Sequence, residues 1–94
     1  MIILTIKKKW FDMILSGVKK EEYREIKPYY TNRFLRFGLL ENKNAWIIFR
    51  NGYSKKSPKF SALCSLDVGE GKAEWGAIPE KKYYKLKIIQ IIKE

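Results

Sequence analysis

Apolar side chains at Ile2, Leu4 and Ile6 alternate with other residues, which predicts a strand over Ile2–Ile6 with those three on one face. The period then changes. From Lys8 to Ser16, Phe11, Ile14, Leu15 and Val18 recur at i, i+3, i+4 and i+7, the stripe of a short amphipathic helix. Gly17 is placed to end it, because a residue without Cβ takes a left-handed conformation without strain. Six of the next eight residues, Lys19–Ile26, are charged, a pattern that reads as a loop or polar turn. Pro28 suits the first turn of a second short helix, with Tyr30, Phe34 and Phe37 facing inward and Gly38 as its stop. Tyr29, Arg33 and Arg36 form the opposite stripe.

The second half reads as β structure. Ala45–Arg50 is almost continuously apolar, as a strand covered on both faces would be. Asn51-Gly52 signals a tight turn, and a Lys/Ser loop with Pro58 follows. Phe60, Ala62, Cys64, Leu66 and Val68 then alternate with Ser61, Ser65 and Asp67. Gly69-Glu70-Gly71 is expected to break or bulge that strand. After a loop holding Trp75-Gly76 and Pro79, Tyr83–Ile92 reads as a last long strand with Tyr84, Leu86 and Ile88 turned inward. Five or six strands and two short helices, in one domain spanning 1–94, predict an α+β fold built on a small, partly open β-barrel. Trp10, Phe34, Phe37, Trp46 and Phe60 have core-like spacing, whereas Tyr29, Tyr53 and Trp75 lie beside loops and basic residues, where stacking on an unpaired base is feasible.

Composition narrows the chemistry. The 94 residues contain no histidine and one cysteine, which excludes Ser-His-Asp and Cys-His triads and the usual zinc sites. No acidic cluster suggests an oxygen-ligand metal, so neither metal nor other cofactor is expected. With 32% charged residues, 46% hydrophobic and a mean hydropathy of -0.38, the chain reads as globular, and its apolar runs are far short of a membrane span. Lys7–Lys9 follow the apolar start instead of preceding it, unlike a secretory leader. Cys64 has no internal partner for a disulfide, so a reducing, cytoplasmic location is expected. Twenty basic against ten acidic residues give a net charge of +10, shared evenly between the two halves, and an anionic partner, nucleic acid first, is the natural reading. The competing reading is a solvated lysine-rich surface.

The anomaly is Lys19–Arg24. In an extended chain Lys20, Glu22 and Arg24 share one face, and Lys19, Glu21 and Tyr23 the other, so neither face is apolar. A charged edge strand would explain this, and so would a functional site. Gly17-Val18-Lys19-Lys20-Glu21-Glu22-Tyr23-Arg24 fits the G-x-K-x-x-E-x-R signature and resembles the ASCH domains of the PUA-like superfamily. The preceding strand and helix, Ile48-Phe49-Arg50-Asn51-Gly52-Tyr53, and Gly69-Glu70-Gly71 with Glu74-Trp75-Gly76-Ala77 resemble compact members from bacteria and their phages.

The resemblance implies a barrel with a cleft between the first helix and the barrel, lined by the signature and binding RNA or a nucleotide-like small molecule. Lys19 and Arg24 would supply positive charge, and Glu22 would hold them or accept a hydrogen bond from a base. Lys7, Arg50, Asn51, Tyr53 and Trp75 complete the expected ligand-binding set. Lys19, just past a helix-ending glycine, is expected to be no part of the core. A buried structural pair of Glu22 with Arg24 is the alternative role. Some relatives are hydrolases: one group resembles amidohydrolases of N4-acylated cytidines, with a Lys at the position of Lys19 and a Thr at that of Glu22. The departure at Glu22 removes the nucleophile, and the resemblance leaves Glu70 and Glu74 both open as its acidic residue. Cleavage of RNA would need Lys19 as base, with Glu22 beside it, or Tyr53 as acid. The oligomeric state stays open.

Overall fold

The computed structural model describes residues 1–93; Glu94, the last residue of the expected domain, lies outside them. In chain order the elements are β1 (Ile2–Thr5), α1 (Lys8–Leu15), β2 (Glu21–Arg24), α2 (Pro28–Arg36), β3 (Ala45–Arg50), β4 (Lys59–Glu70) and β5 (Lys82–Lys93). Single 3-10 turns follow α2, at Leu39–Glu41, and β4, at Ala73–Trp75. The strands form one mixed sheet in the order β1-β3-β4-β5-β2, curled into a half-barrel with two helices, the α+β architecture expected from the pattern. β1 runs parallel to β3 and every other pair is antiparallel. A parallel pair needs a long crossover, and α1, β2 and α2 lie within it.

Ile2, Leu4 and Ile6 are buried, as their alternation predicts, together with Phe11 and Ile14 from α1, Phe34 from α2, and Phe60, Ala62 and Cys64 from β4. Phe60 packs against both Phe11 and Phe49, with ring centres 4.9 and 5.5 Å apart, so one aromatic contact joins α1, β3 and β4. Pro28 occupies the first turn of α2, where its missing N–H costs no hydrogen bond, and Gly38 ends the helix at φ +81°.

Several expectations are corrected. Val18, last of the α1 stripe, is exposed because Gly17 has already turned the chain. Phe37 is exposed because the helix stops at Arg36. β3 is fully covered on the Ile47/Phe49 face only, which leaves Trp46 half-buried, and Val68 is exposed because β4 runs beyond the core. As expected, the chain turns at Asn51-Gly52 and a loop follows: residues 51–58 join β3 to β4, with Gly52 at φ +129° and the Asn51 amide donating to the Pro58 carbonyl at 2.9 Å. β4 does end within Gly69-Glu70-Gly71, at Glu70, whereas the sheet's bulge falls at Leu63/Cys64. Among the described residues no helix is long and apolar enough to cross a membrane.

Candidate functional site

The site begins with the end of α1. Gly17 takes φ +85°, its amide donates to Ile14, and the Lys19 amide then donates to the Met13 carbonyl at 2.9 Å. This turn breaks the alternation expected across Lys19–Arg24, since β2 begins only at Glu21. Lys20 faces solvent, and the side chain of Lys19 enters the protein with that of Glu22. Lys19 is 2% exposed and Glu22 5%, the two buried charges of the domain's described residues. The expectation that Lys19 lies outside the core is therefore overturned.

Burial of these charges is compensated contact by contact. Lys19 Nζ lies 2.8 Å from Glu22 Oε1, donates to the Trp75 carbonyl at 2.9 Å, and sits 4.1 Å from the ring centre of Trp10. Trp10, expected in the core, is thus a half-buried lid over a cation. Glu22 Oε2 accepts from Arg24 Nη2 at 2.8 Å, so one carboxylate holds both cations of the signature. Arg24 Nη2 also donates to the Thr5 carbonyl at 3.1 Å, and Nη1 makes a long bond of 3.4 Å to the Tyr30 hydroxyl. Desolvation pulls the Lys19 ammonium below the ordinary lysine range, against the opposing pull of Glu22.

Above Arg24 opens a cleft of 460 Å³, large enough for a small ligand. β2 contributes Tyr23, Arg24 and Glu25, and the start of α2 contributes Lys27 and Tyr30. The β4–β5 loop and its exit supply Gly76, Ile78, Lys81 and Tyr83, and Lys7 reaches the opening from the β1–α1 junction. Four cations face it against one carboxylate, Glu25, which pairs loosely with Lys81 at 3.8 Å. This cleft lies between β2, α2 and the 71–81 loop, and no residue of α1 lines it. A second, of 320 Å³, lies between the end of α1 and β5, where the resemblance implied one, and is lined by Ile14, Gly17, Lys19, Lys20 and residues 88–91.

Tyr23 forms one wall. Its hydroxyl donates to Glu21 Oε1 at 2.7 Å and accepts from the Lys72 amide at 3.0 Å, and its ring packs against Tyr83 at 5.7 Å. Burial pushes its ionisation up to about 12, with the Glu21 carboxylate adding to the effect, so it stays a neutral donor at physiological pH. Gly71 makes this wall possible: a Cβ there would come within 2.6 Å of Tyr23 Cζ and 2.8 Å of Ala77 Cβ.

Of the residues expected from sequence, Lys7 and Arg24 reach the cleft. Lys19 and Glu22 lie beneath it, and Trp75 contributes its carbonyl to Lys19 while Lys72 covers its ring at 4.6 Å. Arg50, Asn51 and Tyr53 are not brought into it. Arg50 Nε donates to the Gly52 carbonyl and Asn51 Nδ2 to that of Ile6, fastening the β3–β4 loop to β1, and Tyr53 stands 87% exposed on that loop. Sequence reasoning missed Tyr23, Lys27, Tyr30, Lys81 and Tyr83. The available signal was tyrosine, instead of phenylalanine, among the aromatic positions, since a phenol tip keeps one end of the ring at a polar group.

The arrangement suits binding an anion with a planar face better than moving protons. The Lys19 ammonium is buried beneath Trp10 and bonded to the Trp75 carbonyl and Glu22, and Tyr53 makes no part of the site. Among the described residues no group of three or more acidic or cysteine side chains could hold a metal ion. No protein-family model, curated protein or solved structure matches this chain.

Proposed function

We propose that this domain binds RNA or a nucleotide-like ligand in the cleft above Arg24, and that it is an ASCH-type module of the PUA-like kind. The observation that carries the reading is the pairing of charge with half-buried aromatic rings: Arg24, Lys7, Lys27 and Lys81 with Tyr23 and Tyr30 around one opening. Cations meet phosphate, and tyrosine rings accept a base by stacking. The order strand, helix and signature strand, and the convergence of Lys19, Glu22 and Arg24, support the family assignment. The hydrolase alternative has less support, because Glu22 is committed to two cations. The lone, buried Cys64 thiol supports a reducing, cytoplasmic setting.

The test is a titration of fluorescently labelled single-stranded RNA across a range of salt. With about three to five phosphates contacted, log K should fall against log[salt] with a slope of roughly -2 to -3.5. Lys27→Ala and Lys81→Ala, both outside the buried cluster, should each weaken binding and make the slope shallower. Absence of binding at low salt would overturn the proposal.

A further inference from the structure

One feature beside the cleft belongs to neither the core nor the cleft lining. Tyr29 is 58% exposed, yet its ring is held from two sides. Arg33, one turn along α2, donates through Nη1 to its hydroxyl at 3.0 Å and lies 5.3 Å from its ring centre. Tyr30 meets it edge to face, with centres 5.0 Å apart and planes at 86°. Arg33 is itself tied to the Ile3 carbonyl at 3.3 Å, and its Nε is buried without a partner. Ordering an arginine and a tyrosine costs side-chain entropy, and a ring left more than half in water recovers little of it by burial. More than half of the ring stays in water, free for a stacking partner.

Tyr30 lines the cleft, so Tyr29 lies one ring away from its wall. Their near-perpendicular planes suit two bases splayed apart, the geometry in which single strands are read. Lys27 stands at the same rim, its Nζ 5.5 Å from the Tyr30 ring centre, where it can meet the phosphate between two bases. Resting on the cleft reading above, we infer that Tyr29 and Arg33 form a second stacking station, and that the ligand is a single-stranded oligonucleotide of at least two nucleotides.

The experiment compares adenosine 5′-monophosphate with the dinucleotide pApA by calorimetry on the parent protein, Tyr29→Ala and Tyr29→Trp. The parent should bind pApA about tenfold more tightly than the mononucleotide. Tyr29→Ala should lose most of that gain and keep its mononucleotide affinity, and Tyr29→Trp should restore it, because stacking tolerates any flat ring. A Tyr29→Ala protein that binds pApA as the parent does overturns the second station and leaves the cleft reading standing. Failure of the parent to bind either probe overturns both. The deoxy dinucleotide, run in parallel, distinguishes DNA from RNA: the tighter of the two names the sugar, and its loss of affinity in Tyr29→Ala supports the station.

Discussion

Arg24 on β2 donates to the main-chain carbonyl of Thr5 on β1 at 3.1 Å, joining the two free edges of the sheet by a side chain. No strand ladder connects β1 and β2, and an exposed edge is a liability that proteins cover. Here the cover is arginine: Arg24 takes the Thr5 carbonyl and Arg33 that of Ile3. The signature cation is therefore both a floor of the cleft and a clasp of the half-barrel.

Arg24→Ala should accordingly destabilise the domain by about 3 kcal/mol, since it leaves Glu22 with one partner and the Thr5 carbonyl with none. Urea denaturation measures this directly. A loss under about 1 kcal/mol would place the pair in a wet, screened setting and remove the clasp.

Lys19→Ala should be at least as damaging, with a loss of roughly 3–5 kcal/mol. It empties the space beneath Trp10 and removes one of the two cations on Glu22. A melting temperature within two or three degrees of the parent would mean that Lys19 is dispensable to the fold.

Gly71→Ala should push Tyr23 from its place, because the new Cβ would overlap a ring pinned through its hydroxyl to Glu21 and the Lys72 amide. Overpacking of this kind costs about 1–3 kcal/mol, and ligand affinity should fall with it. Gly69→Ala is the control: its Cβ would make only ordinary contact with Lys85, at 3.7 Å. Equal behaviour of the two variants would contradict the role given to Gly71.

Stability should decline in alkali. Burial pushes the Cys64 thiol up to about 12 from 9.0. The folded state then holds this proton longer than the unfolded chain, so the stabilisation is complete below about pH 9 and lost progressively toward pH 12, by up to about 4 kcal/mol. Tyr23, raised from 10.0 to about 12, adds a loss of the same sign from pH 10 upward. Lys19, lowered by burial, acts in the opposite direction. Cys64→Ala should flatten the fall of the urea midpoint above pH 9; an unchanged slope would assign the alkaline loss elsewhere.

Hydrolysis of N4-acetylcytidine should be undetectable when cytidine release is followed with purified protein, because Glu22, which the ASCH resemblance aligns with the threonine of amidohydrolases, is bonded to both Lys19 and Arg24. Robust turnover, abolished in Lys19→Ala, would show that another nucleophile serves.

Local periodicity by itself determined the first strand and helix, the turns at Gly17 and Gly38, the start of α2 at Pro28, and the buried face Phe60, Ala62 and Cys64. Each depends on side-chain spacing or on the backbone freedom of one residue, and both are written locally. The same reasoning placed Lys19 on the far side of the strand from Glu22, because alternation assumes extended chain throughout. The left-handed turn at Gly17 cancels that assumption two residues earlier. Whether a charge can be buried also depends on what surrounds it, and for Lys19 that includes a carbonyl 56 residues away, at Trp75. The cleft has the same origin: Tyr23 and Tyr83 meet only because β2 pairs with β5, and the 71–81 loop closes over them only where Gly71 leaves room. Such contacts exist only once distant segments share a sheet, so tertiary structure alone decided which charges would be buried and which would face the cleft.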